Sequence, residues 1–194
     1  MGTKRVGLGR TEALIENLKR SLNLSGSVLV GQKRPAAETI TTTKALTAGD
    51  SGKIFLLDSA DETAACAITL PELDTDHVGV NYEFAVLDPS NGSFTITTGD
   101  VTNTTGDQFI GALHLATDQV SGDSNHNNMR AIATSANDSR IVLDGNAANG
   151  GGQVGTRIKC TAVSATQWLV EGRVVCDSSS QDDSTGATVF ANAS

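Results

Sequence analysis

A chain of 194 residues that is 38% apolar can bury one core without disulfides or a metal, and its three cysteines, an odd number with no close spacing, signal neither. No apolar run approaches the roughly 18 residues of a membrane span, and 4% aromatics leave little for a stacking surface. The net charge of −8 is divided unevenly: residues 1–34 carry seven basic and two acidic side chains (+5), the remainder seven basic and twenty acidic (−13). An acidic body repels nucleic acid, whereas a basic arm is drawn to a negative partner.

The arm holds one expected helix, about residues 11–22. Thr11 is its N-cap by sequence, and Glu12 sits in the first turn at the positive end of the dipole. Leu14, Ile15, Leu18 and Leu22 fall on one stripe, Glu16 and Arg20 form an i, i+4 pair, and Lys19 and Arg20 suit the last turn. A helix of this length is marginal alone in water, so its stripe needs a surface to pack on. The opening residues are charged and carry no apolar stretch of the signal-peptide kind, so no secretory signal is expected.

From Val28 the apolar period changes from 3.6 to 2. Strands are expected at 28–30, 39–43, 53–57, 66–70, 81–87, 93–98, 129–134, 140–143, 156–162 and 167–175, separated by turn signals such as Ala48-Gly49-Asp50-Ser51-Gly52 and Asp88-Pro89-Ser90-Asn91-Gly92. Tyr82, Phe84 and Val86 alternate with polar or small residues, as do Phe94 and Ile96. With no alternation of strands and helices, a parallel sheet is not expected. The fold class is mainly β: an antiparallel β-sandwich or jelly-roll-like barrel with a short N-terminal helical arm. The organisation is a basic arm (1–34), a β domain (35–176) and a polar acidic tail (177–194), with Val189 and Phe190 as a short anchor. Trp168, the single tryptophan, reads as a core aromatic of the last long strand.

Motifs with chemical associations fail on their context. Gly49-Asp50-Ser51-Gly52 matches the nucleophile loop of trypsin-like proteases, but no histidine precedes position 77 to act as base. Gly150-Gly151-Gly152-Gln153-Val154-Gly155 fits G-x-G-x-x-G, yet a strand follows it rather than a helix. Asp123-Ser124-Asn125-His126-Asn127 begins like a calcium loop, but Asn128 and Thr134 stand where the EF-hand needs Gly and Glu; another cation at this loop, or at Asp74 and Asp76, is the minor reading. His77, His114 and His126 have no metal-ligand spacing. No catalytic residues, metal or cofactor are therefore expected.

Residues 1–20, MGTKRVGLGRTEALIENLKR, resemble the N-termini of virion structural proteins from tailed phages of marine bacteria, cyanophages included. The order of ALTAGDSGKIFLLD (45–58), ITLP (68–71), YEFAV (82–86), FTITT (94–98) and WLVEG (168–172) is similar to that in β-rich capsid decoration and cement proteins. The resemblance implies a non-enzymatic protein that binds the outer surface of the assembled capsid and reinforces it. It would be made in the host bacterial cytoplasm and reside on the virion. Its partner would be the major capsid protein, with a homo-oligomer (trimer or dimer) and no nucleic acid or membrane. The capsid-contact candidates are Lys4, Arg5, Arg10, Leu14, Ile15, Leu18, Lys19, Arg20 and Leu22. The alternative is a tail-fibre or head-fibre protein that binds host surface glycans. An enzyme such as a glycan hydrolase would need two convergent carboxylates in a cleft.

Overall fold

The computed structural model describes residues 7, 11–12, 37–58, 66–88, 93–102, 105–117, 130–145, 150–176 and 189–193. The chain divides into two units, Met1–Arg34 and Pro35–Ser194. In the first, Thr11 and Glu12 are helical, and the Thr11 N–H donates to the Gly7 carbonyl oxygen at 3.4 Å. Thr11 therefore lies inside a helical turn and is not its N-cap. The rest of the expected helix, the strand at 28–30 and most of the acidic tail lie outside the described residues.

The second unit is mainly β. Its strands are β1 (Glu38–Ile40), β2 (Lys44–Ala45), β3 (Ile54–Leu57), β4 (Cys66–Thr69), β5 (Asn81–Val86), β6 (Ser93–Thr97), β7 (Gln108–Thr117), β8 (Arg130–Ala133), β9 (Arg140–Asp144), β10 (Arg157–Ala162), β11 (Gln167–Cys176) and β12 (Phe190–Ala191). They form a seven-stranded sheet, ordered β1-β3-β5-β10-β11-β7-β8, and a five-stranded sheet, ordered β12-β9-β6-β4-β2. Both sheets are open, so the barrel expectation is corrected.

Both sheets are also mixed, which corrects the expectation of an antiparallel fold without parallel strands. From β1 to β6 the chain alternates between the sheets, so β1, β3 and β5 lie parallel in one, and β2, β4 and β6 lie parallel in the other. A parallel pair needs a long crossover, usually a helix. Here each crossover runs through a strand of the opposite sheet, and no helical period marks it in the sequence. In-register parallel pairing sets similar side chains side by side: Phe55 beside Phe84, with ring centroids 5.7 Å apart, and Ile68 beside Ile96. From β7 onward antiparallel pairs enter, and β10 is inserted between β5 and β11. The parallel β7–β11 ladder joins the two longest strands.

Burial alternates along the strands, as in β5, β6, β9 and β10, so each sheet has one apolar face. The two apolar faces feed one core cluster, with Phe55, Phe84, Tyr82 and Trp168 from the larger sheet and Phe94, Ile96, Ile68 and Leu143 from the smaller. Trp168 is fully buried against Tyr82 at 5.7 Å, and the Tyr82 hydroxyl donates to the Thr47 carbonyl at 2.7 Å. Cys66, Cys160 and Cys176 are buried and free. Cys160 lies opposite Val170 in the ladder and Cys176 opposite Thr117, so the two are not placed for a disulfide across the hairpin. The sheet edges β1, β2, β8 and β12 are two to four residues long, which leaves little unpaired backbone for edge-to-edge association.

Two glycines permit the close packing of the long strands. A Cβ on Gly111 would sit 2.2 Å from the Val170 carbonyl oxygen, and one on Gly172 would sit 2.2 Å from that of Arg157. Both have positive φ, 126° and 150°.

Candidate binding face

The outward side of the larger sheet carries an open groove of about 590 Å³ lined by Glu83, His114, Gly155, Arg157, Lys159, Glu171, Gly172 and Arg173. Strand alternation points these charged side chains away from the core, and the register sorts them into two cross-strand rows. In the first row Lys159 of β10 lies between Glu83 of β5 and Glu171 of β11, so charge alternates in sign. In the second row Arg157 of β10 lies opposite Arg173 of β11, which lies opposite His114 of β7.

The ion pairs run partly between the rows. Arg157 Nε donates to the Glu83 carboxylate, two residues that lie far apart in the chain, and Lys159 Nζ faces Glu171 at 3.6 Å. Arg173 Nη2 donates to the Gly155 carbonyl at 3.3 Å. Among the described residues no carboxylate pairs with Arg173. Both glutamates are neutralised by β10 cations on an open face.

A second charged cluster is structural. Residues 47–53 form the turn expected from their sequence: Asp50 accepts from the Thr47 N–H (3.0 Å), the Thr47 hydroxyl (2.9 Å) and Lys53 Nζ (2.5 Å). The hydrogen bond from Lys53 chiefly, and those from Thr47, hold the Asp50 carboxyl down at about 2 against a smaller opposing effect of burial. Ser51 Oγ accepts from the Asn81 N–H at 3.1 Å, so the serine of this motif ties a turn to β5. Asp107 is buried and accepts from the Leu73 N–H at 3.0 Å; burial raises its carboxyl pKa, and the backbone donors offset part of that. Asp74 caps the Thr75–His77 turn by accepting from the Asp76 and His77 N–H groups. Among the described residues no group of three His, Cys, Asp or Glu side chains could hold a metal ion.

The capsid-contact candidates Lys4, Arg5, Arg10, Leu14, Ile15, Leu18, Lys19, Arg20 and Leu22 lie outside the described residues. The charged face was not nominated from the sequence. Arg157, Lys159 and Arg173 are visible there as alternating cations on strands, but their neighbours are set by pairing between distant segments. Compared with known proteins, the chain matches no family model and no curated relative.

Proposed function

We propose that this chain is a non-enzymatic structural protein of a phage virion that binds the outer surface of the assembled capsid and reinforces it, with the two sheets stacked face to face as a sandwich. The observation that carries the reading is the division of charge, +5 in residues 1–34 against −13 in the remainder. The basic segment also holds the stripe of Leu14, Ile15, Leu18 and Leu22, and each such side chain contributes roughly 1.5–3 kcal/mol when fully buried. The β unit supports this division of labour. Among the described residues its buried apolar side chains form one core, and the exposed large apolar ones, Ile54, Val78, Leu87, Val154 and Val163, are spread over separate segments. The shared core supports the sandwich, because each sheet contributes one alternating buried face. The partner in this reading is the major capsid protein, bound by a dimer or trimer of the chain so that weak contacts are multiplied.

The test is binding of the full chain, and of a variant lacking residues 1–25, to capsids stripped of decoration. The full chain is expected to saturate the capsid surface. The truncated chain is expected to keep its far-UV circular dichroism and lose binding. Wild-type occupancy by the truncated chain would overturn the role of the arm. Antibody label confined to the tail of intact particles would overturn the capsid assignment in favour of a fibre.

A further inference from the structure

We propose that the second cross-strand row of the larger sheet, Arg157, Arg173 and His114, is a binding site for a tetrahedral oxyanion, phosphate or sulfate, either free or carried on a small ester. The proposal stands apart from the role of the arm. It rests on where the β unit places its few cations. That unit is strongly acidic, with seven basic residues after position 34, yet Arg157, Lys159 and Arg173 all line one groove. Opposite charges directly across strands are favourable, as in the Glu83–Lys159–Glu171 row. Like charges directly opposite one another are unfavourable. The adjacent row sets Arg157 against Arg173 and continues to His114. An anion on that row removes the conflict.

The geometry suits a tetrahedral group. The three side chains project from three successive strands, with neighbours about 4.8 Å apart, so donors arrive from a breadth that a single planar carboxylate does not fill. Arginine presents a planar fork of N–H donors that matches oxyanions. Arg157 is 66% exposed at its side chain and is paired with the Glu83 carboxylate. Arg173 and His114 are exposed, and the acceptor held by Arg173 is a neutral carbonyl, that of Gly155. An incoming oxyanion thus replaces a weak acceptor at Arg173 and breaks no ion pair there. Glu83 works against the ligand, both by its charge and by its hold on Arg157. It supplies a variant of opposite expected sign.

The test is a ¹H–¹⁵N NMR titration of the full chain with sodium phosphate, sodium sulfate and glucose 6-phosphate, each against sodium chloride at matched ionic strength. Saturable shifts are expected at the amides of His114, Gly155, Arg157, Gly172 and Arg173, and the chloride series should not reproduce them. Response to the inorganic ions assigns the site to the oxyanion alone; response to the ester only assigns it to a sugar-borne oxyanion. Arg173→Gln is expected to weaken binding about tenfold, the scale of one charge-assisted hydrogen bond. Arg173→Lys should fall between it and the wild type, and Glu83→Gln should tighten binding. The amide spectrum itself reports whether each variant is folded. Shifts matched by chloride, saturation elsewhere, or unchanged affinity in Arg173→Gln with Glu83→Gln would overturn the proposal.

Discussion

Replacing Gly111 by alanine tests the pairing on which the larger sheet depends. The new Cβ would stand 2.2 Å from the Val170 carbonyl oxygen, whereas real Cβ atoms do not approach below 3.0 Å. Strands β7 and β11 would have to part by about 0.8 Å at that point, the difference between those two distances. A φ of 126° adds strain for an L-residue, about 1–2 kcal/mol. The displaced ladder bonds, together with the bond from the Thr134 N–H to the Gly111 carbonyl at 3.0 Å, are worth about 1 kcal/mol each. The sum is about 3–5 kcal/mol, a large share of the 5–15 kcal/mol typical of a domain, and lowers Tm by about 10 °C. Trp168 is the single tryptophan, is fully buried, and pairs with Phe109 in the same ladder, so its fluorescence in a urea titration reads this region directly. Gly49→Ala is the control: its Cβ would meet only the Thr47 hydroxyl, at an ordinary 3.6 Å, and it should stay within about 0.5 kcal/mol of wild type. If Gly111→Ala also stays within that margin, β7 does not lie against β11 as described.

Asp50→Asn should cost about 0.5–1 kcal/mol at neutral pH, the scale of a partly exposed ion pair. Because the folded carboxyl titrates at about 2, below its ordinary 3.8, its contribution is complete above about pH 4 and is lost as pH falls through 2. Wild-type and variant urea midpoints should therefore draw together as pH falls through 2, and a gap as wide at pH 2 as at pH 7 would refute the assignment. Cys66, Cys160 and Cys176 are buried and free, and burial pushes each thiol up. Ellman's reagent should find essentially no reactive thiol in the folded chain and all three in urea; rapid reaction of the folded protein would contradict the core placement.

The strands that lie half in the core announce themselves. In β5 and β6 the alternation of Tyr82, Phe84 and Val86, and of Phe94 and Ile96, is a local pattern, and the expected bounds differ from the observed ones by a residue. Strand β7 gives no such signal. Gln108–Thr117 is rich in Ala and Leu, which favour helix, and Gly111 interrupts it. What makes it a strand is its ladder with β11, formed with residues about 60 positions later. The same reasoning explains the missed parallel order. Alternation shows that a segment has a buried face, but not which sheet receives it. Nothing local in Lys44–Ala45 or Phe190–Ala191 reveals that each closes an edge of the smaller sheet.

The charged face separates what a period of two encodes from what a register encodes. Period two places Glu83, Arg157, Lys159, Glu171 and Arg173 outside, and that much follows from the apolar residues between them. Which of these become neighbours depends on how β5, β10, β11 and β7 slide against one another. A shift of β10 by two residues keeps every side chain on its own face, and the hydrophobic pattern penalises it little. That shift would nonetheless set Lys159 against Arg173 and leave Glu171 facing Thr161. The observed register is instead fixed at the glycines: the carbonyl of Arg157 fits closely over Gly172, and that of Val170 over Gly111, positions where a Cβ cannot be accommodated. Gly172 thus bears on which β10 and β11 charges meet, and Gly111 on which residue of β7 lies beside Arg173. The Arg157–Arg173–His114 row follows from backbone fit, so the sheet can hold an electrostatically unfavourable row at the modest cost of like charges across strands.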